Sequence, residues 1–179
     1  MNQKTVLVTS NFDNVGSLPC NTSIGGPAKG IIVREIDALG GQMPKTADKT
    51  YLQMKMLNTA KGPGVQSLRA QADKKVYPRY MQEVLKKQEN LDIIEGMVED
   101  LIVEDNCVKG VILDNGQTIE GRMVILTTGT YLKAEILCGD QKHASGPDQQ
   151  KESKYLSEKL ANLGMRIQRL KTGKPPRVE

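Results

Sequence analysis

Pro19-Cys20-Asn21-Thr22-Ser23-Ile24-Gly25-Gly26-Pro27-Ala28-Lys29-Gly30, running directly into Ile31-Ile32-Val33-Arg34-Glu35-Ile36-Asp37-Ala38-Leu39-Gly40-Gly41, is the stretch on which the reading of this chain turns. A thiol, an amide, two hydroxyls and one cation share a loop punctuated by glycine and proline. The residues after it predict a helix over Ile31–Leu39, stopped by Gly40-Gly41. Glycines let backbone N–H groups approach a ligand closely, and a helix start adds partial positive charge. Such a loop suits a flat or anionic ligand. No Gly-x-Gly-x-x-Gly run precedes it, although that turn is the usual phosphate binder of dinucleotide folds.

Working outward, Thr5-Val6-Leu7-Val8-Thr9 reads as a short buried strand of a parallel sheet, because its apolar run does not alternate. Residues 42–64 read as irregular, with one short strand around Tyr51–Leu57. Val65, Leu68, Ala72, Val76, Tyr80 and Val84 recur at helical spacing, which predicts an amphipathic helix to about Gln88, kinked or broken at Pro78. Short strands follow at Leu91–Ile94, Gly96–Val103, Cys107–Leu113, Thr118–Ile119 and Met123–Thr127. Asp114-Asn115-Gly116 is a hairpin signal, since Asn-Gly favours turns with positive φ. Lys142–Glu152 reads as a loop and Ser153–Leu163 as a helix closed by Gly164. The tail from Lys171 to Arg177 reads as extended and basic.

The 179 residues suffice for one ordinary domain or a piece of a larger one. With 38% hydrophobic residues, one Phe and no Trp, the core is lean, so part of it is expected to belong to neighbouring segments. The net charge of +4 neither marks nor excludes a nucleic-acid binder, because phosphate recognition needs local charge. Cys20, Cys107 and Cys138 lack metal-ligand spacing and cannot all pair, which favours a reducing, cytoplasmic setting. In that setting the glycosylation sequon Asn21-Thr22-Ser23 is accidental. No apolar run approaches the length of a bilayer span, and Met1-Asn2-Gln3-Lys4 is not a signal peptide, so no membrane role is expected.

A strand, a helix, an antiparallel meander with a hairpin and a strand ending in Thr-Gly: this order resembles flavoproteins with two dinucleotide-binding domains. The motifs narrow the resemblance. Pro19-Cys20-Asn21-x-Ser23-Ile24-Gly25-Gly26-x-x-Lys29-Gly30 is followed by Val33-x-Glu35-Ile36-Asp37-Ala38-Leu39-Gly40-Gly41. Then come Leu57-Asn58-x-x-Lys61-Gly62-Pro63-x-Val65, Arg69-Ala70-Gln71-Ala72-Asp73, Val98-Glu99-Asp100-Leu101-Ile102-Val103-Glu104, Leu126-Thr127-Thr128-Gly129-Thr130 and Leu170-Lys171-Thr172-Gly173. Together these blocks resemble the GidA/MnmG family along nearly the whole chain, in order.

The resemblance implies an α/β fold: a partial FAD/NAD(P)-binding, Rossmann-like three-layer domain with a β-meander and its first strand missing. Residues 1–140 would be the incomplete FAD-binding domain and 141–179 the start of an inserted or following segment. It implies a cytoplasmic FAD enzyme that installs a carboxymethylaminomethyl or aminomethyl group at carbon 5 of the wobble uridine of tRNA. Methylenetetrahydrofolate and NADH are the implied co-substrates, and a homodimer working with the GTPase MnmE the implied assembly. The folate- and FAD-dependent tRNA uracil-5-methyltransferases are similar and form one alternative; the Arg-Ala-Gln-Ala-Asp block favours the first family. A non-catalytic, truncated binding module is the other alternative, and the missing Gly-rich turn supports it. The chain opens at what reads as the second strand and stops after Lys171-Thr172-Gly173, so it reads as an internal fragment, expected to bind FAD weakly or not at all alone. Thr22 stands where the family usually has Pro, and Ile31 where it commonly has His, so that His role has no carrier here.

Cys20, just before a helix, is the implied catalytic thiol, since a helix start favours the thiolate; the plain alternative is a small buried hydrophobe. Lys29 would neutralise the reduced flavin or a substrate anion, or stand merely solvated. Asn21, Ser23, Gly25 and Gly26 would contact the isoalloxazine, or simply make a turn. Val98 would hold the adenine through its backbone. Ser153 would touch FAD, or cap the Ser153–Leu163 helix, or both. Thr128 and Gly129 would line the ribityl-pyrophosphate part. Lys61, Arg69, Lys171, Lys174 and Arg177 are candidates for tRNA phosphates or for a solvated face. His143, the single histidine, has no carboxylate nearby in sequence and receives no role.

Overall fold

The computed structural model describes residues 3–19, 21–147, 150–171 and 173. The chain is mixed α/β and divides into two compact units. The first holds the chain up to Leu7 and Asn11–Ile93; the second holds Val8–Ser10 and the chain from Ile94 on. Strands β1 (Thr5–Thr9) and β5 (Leu91–Glu95) pair with each other, and the division runs through both. Hydrogen bonds from Thr5 N–H to Asn90 C=O and from Gly96 N–H to Thr9 C=O, each 2.9 Å, mark a parallel pairing.

In the first unit, β2 (Ser23–Gly25), β3 (Tyr51–Leu57) and β4 (Ser67–Ala72) form an antiparallel sheet in the order β2-β4-β3. Helices α1 (Lys29–Ala38), α2 (Gln42–Thr50) and α3 (Val76–Lys86) accompany it. Buried Ile24, Ala47, Ala72 and Tyr77 make the core, with Leu18, Val33, Met43 and Met81 packed against it. The expected helix over Ile31–Leu39 is therefore present, starting two residues earlier.

Three expectations fail here. Residues 42–50 are helical rather than irregular, because the buried face of α2 is built from Pro44, Thr46, Ala47 and Thr50, which carry no apolar periodicity. Its buried hydroxyls are satisfied locally: Thr50 Oγ1 donates to Thr46 C=O at 2.8 Å, and Gln42 Nε2 donates to Thr46 Oγ1 at 3.0 Å. The helix expected from Val65 begins only at Val76, since Ser67–Ala72 is the central strand β4. Asp73 sets the start by accepting the N–H groups of Lys75 and Val76 on Oδ1 at 2.7 and 2.8 Å. Pro78 lies near the start of α3, which runs on without interruption to Lys86, so the helix is not broken there.

The second unit is led by a meander of β6 (Val98–Glu104), β7 (Cys107–Leu113) and β8 (Thr118–Glu120) in the order β6-β7-β8. The hairpin at Asp114-Asn115-Gly116 forms as expected, with Gly116 at φ 82°. A second tight turn, Asp105-Asn106, has φ 49° and 60°. Helix α4 (Leu156–Asn162) buries Leu156 and Leu160 and is joined to β6 by Lys159 Nζ to Asp100 Oδ2 at 2.7 Å.

Three readings of this unit need correction. Met123–Thr127 is not a strand; Met123 and Ile125 are 86% and 85% exposed, and no described strand pairs with the segment. A strand needs a neighbour for its backbone groups, and this apolar run has none among the described residues. Part of the expected 142–152 loop is a hairpin, β9 (Glu135–Cys138) with β10 (Gln141–Ala144). The α4 helix starts after Tyr155 rather than at Ser153, so Ser153 is not its cap. No helix among the described residues is long and apolar enough to cross a membrane.

Candidate functional site

The first-unit site is built on β2. Asn21 Oδ1 accepts the N–H of Ser23 at 2.8 Å, an Asx turn that steers the chain into the strand. Thr22 C=O accepts Ala72 N–H at 2.9 Å, and β2 then pairs Ser23 with Gln71, Ile24 with Ala70 and Gly25 with Arg69. Burial of Ile24 in the core places Ser23 and Gly25 on the opposite face.

The two adjacent glycines are there for different reasons. Gly25 has φ 134°, and a Cβ on it would lie 2.1 Å from Leu68 C=O and 2.6 Å from Arg69 Cα. It is glycine because β4 crosses too close for a side chain. Gly26 has φ 95° and donates its N–H to Leu68 C=O at 3.0 Å, yet a Cβ on it would meet nothing within 4 Å. Gly26 is itself buried, but the space that a side chain on it would fill holds no atom of the described residues. Gly26 C=O then accepts Gly30 N–H at 2.8 Å, closing the turn into α1.

Lys29 is the first residue of α1. Its chain is exposed, but Nζ is drawn back to Ser23 C=O at 3.1 Å, and partial burial there holds its pKa below the ordinary lysine value. Ser23 Oγ is 2.6 Å from Arg69 Nη2, which donates to it, and itself donates to Gln71 Oε1 at 2.8 Å; Gln71 Nε2 donates to Thr22 Oγ1. The buried Ser23 hydroxyl is thus committed within the protein, where it fixes Arg69 and Gln71. Asn21, Ser23, Gly25, Gly26 and Lys29 come together as one constellation. Cys20 lies outside the described residues, as do Thr172, Lys174 and Arg177.

The second unit gathers the remaining candidates. Val98 opens β6, and Ser153 Oγ donates to its carbonyl at 3.4 Å. Ser153 N–H donates to Tyr131 C=O at 2.9 Å, and Tyr131 N–H donates to Thr128 C=O at 3.2 Å. The Thr128–Gly129 turn, with Gly129 exposed at φ 56°, is therefore linked through Tyr131 and Ser153 to Val98. His143 is exposed on β10, 3.4 Å from Gln141 Oε1. Lys61 and Lys171 are exposed. No group of three metal-capable side chains occurs among the described residues.

Gln71 and Tyr131 were missed as organisers. Reading 67–72 with a period of two would have placed Ser67, Arg69 and Gln71 on one face. Nothing in the sequence around Tyr131 signals its place between Thr128 and Ser153.

A family model described as "Glucose inhibited division protein A" matches residues 1–179. The chain is 57% identical over 175 residues to the tRNA uridine 5-carboxymethylaminomethyl modification enzyme MnmG of Geobacillus kaustophilus, covering 98% of this chain and 28% of the relative. The enzyme of that name from Acholeplasma laidlawii is 54% identical over 178 residues, covering 99% of this chain and 29% of the relative. Aquifex aeolicus GidA, in its form I crystal, superposes with a TM-score of 0.84 at 48% identity, covering 89% of this chain and 26% of that one. The GidA-related protein of Thermus thermophilus gives a TM-score of 0.57 at 18% identity, covering 91% of this chain and 59% of that one, a likeness of fold alone. The chain thus spans less than a third of the length of the curated relatives named here.

Proposed function

The chain belongs to the glucose inhibited division protein A family, and on that premise we propose that it is the flavin-cradling part of a tRNA-modifying enzyme. The proposed reaction installs a carboxymethylaminomethyl group at carbon 5 of the wobble uridine, with FAD as cofactor and NADH and methylenetetrahydrofolate as co-substrates. A homodimer acting with the GTPase MnmE in the cytoplasm completes the proposal. The observation that carries it is the pairing of a glycine whose Cβ position is empty, Gly26, with a cation three residues on, Lys29, in a chain 57% identical to a MnmG.

The residues suit the cofactor. Gly25 and Gly26 would lay the backbone against the flavin ring, and Lys29 would stabilise negative charge developing on it or on the substrate. Asn21 and Ser23 would hold the loop in shape, Ser23 through its bonds to Arg69 and Gln71. In the second unit, Val98 would hold the adenine by its backbone, Ser153 would support Val98 and contact the cofactor, and Thr128 and Gly129 would line its ribityl-pyrophosphate portion. Bound FAD would supply the hydride and carbon-unit chemistry. Cys20 is the proposed nucleophile or acid/base. No Gly-x-Gly-x-x-Gly run occurs in the 179 residues, so the chain alone is proposed to hold FAD weakly.

A chimera tests this directly: the Geobacillus kaustophilus enzyme with its matching segment replaced by this chain. The proposal expects a yellow protein with stoichiometric flavin that modifies the wobble uridine, and loss of modification in the Lys29→Ala form. A folded chimera without flavin would refute it. Methylation of a uracil elsewhere in tRNA, in place of wobble modification, would favour the methyltransferase alternative.

A further inference from the structure

The β2-β4-β3 sheet has one face turned to the core and one polar face, and the polar face has no carboxylate of its own. Direct cross-strand partners share a face, and residues two apart along a strand share it too. Ser67, Arg69 and Gln71 of β4 therefore stand in one row, flanked by Leu57, Lys55 and Gln53 of β3 and by Gly25 and Ser23 of β2. None of the three strands contains Asp or Glu.

Lys55 and Arg69 are direct partners across the β3–β4 pair, and both are exposed. Like charges facing one another across strands are destabilising, and no ion pair engages either residue among the described residues. Arg69 is nonetheless held in place, by its 2.6 Å bond to Ser23 Oγ and the onward link to Gln71. That bond occupies one nitrogen of a planar five-donor guanidinium, and a fixed fork of this kind suits phosphate oxygens. A cation pair without a carboxylate on its face, one member of it a guanidinium already held in place, favours an anion there.

We infer that this face seats phosphates of an RNA backbone, with Lys55 and Arg69 as the contacting cations. The choice of RNA rests on the proposed function above. The seat lies on the face opposite α2, whose Ala47 packs into the core.

The test is binding of fluorescein-labelled unmodified tRNA to the 179-residue chain, followed by anisotropy across a KCl series, with circular dichroism of every variant. Lys55→Gln and Arg69→Gln should each make the slope of log K against log [salt] shallower by about 1, and the double variant by about 2. Arg69→Lys should keep the wild-type slope, and so should Lys49→Gln, a charge removed from α2. An unchanged slope in the folded double variant, an equal change in Lys49→Gln, or no tRNA binding by the folded chain would each overturn the seat. Flavin content of the chimera is a separate readout, so failure here leaves the flavin proposal to its own test.

Discussion

Lys29 Nζ lies 3.1 Å from the backbone carbonyl oxygen of Ser23, tying the start of α1 to the start of β2. The bond brings a cation to a loop whose remaining polar side chains are largely spent on one another. Its pKa is lowered by burial. A lysine whose folded pKa lies below its unfolded value binds protons less readily when folded, so it weakens the fold at neutral pH, and stability rises as pH climbs from the folded pKa to about 10.4. Lys29→Met removes this term. In urea unfolding, the advantage of Lys29→Met over wild type at pH 8 should shrink as pH approaches about 10.4, while the same substitution in the chimera lowers flavin affinity. An advantage that grows with pH would contradict the assignment.

The glycine pair separates fold from ligand approach. Gly25→Ala forces a Cβ to 2.1 Å from Leu68 C=O and should cost the first unit its cooperative unfolding transition. Gly26→Ala meets no atom of the described residues and carries the cost of a positive φ, about 1–3 kcal/mol. Thermal unfolding should therefore show a folded Gly26→Ala protein and a damaged Gly25→Ala protein. In the chimera, the folded Gly26→Ala form should still lose flavin.

How much of this was legible in the sequence depends on what each segment packs against. The α1 helix and the Asn115-Gly116 hairpin were readable because local chemistry determines them, whereas strand β2 within the Gly-rich loop was not, because its pairing with β4 makes it a strand. Helix α2 was not, because threonines make up much of its buried face and satisfy their own hydroxyls. Strand β4 was misread because Leu68 and Ala72 fit a helical period by chance, while Ser67, Arg69 and Gln71 carry the true period of two. Met123–Thr127 looked like a strand from its apolar content, but content supplies no neighbour. Within the site, the constellation around Ser23 and Lys29 followed from one contiguous motif; the Arg69–Ser23–Gln71 link joins segments far apart in the chain and needed the sheet register.

The Asp100–Lys159 pair sets an acid limit on the second unit. Partial burial pushes the Asp100 carboxyl up, but the hydrogen bond from Lys159, the Leu101 N–H and the lysine charge together outweigh it, and the net pKa is lowered. A carboxyl depressed in the folded state contributes stability above its unfolded pKa, about 3.9, and that stability is lost as pH falls through the folded value. Lys159→Met leaves the desolvation of Asp100 unopposed by its main partner. The acid-unfolding midpoint of the second unit, followed by intrinsic tyrosine fluorescence or amide signals, should move to higher pH. A midpoint that stays in place would show that the pair is screened away by solvent.

The central claim is that the Asn21–Lys29 loop cradles a flavin ring. Titration of FAD into the isotopically labelled 179-residue chain, read by amide chemical shifts, tests it most directly. The account predicts weak, saturable binding, with the largest shifts at Gly25, Gly26 and Lys29 and their loss in folded Gly26→Ala. Saturating shifts confined to other residues, or shifts at this loop that persist unchanged in folded Gly26→Ala, would contradict it.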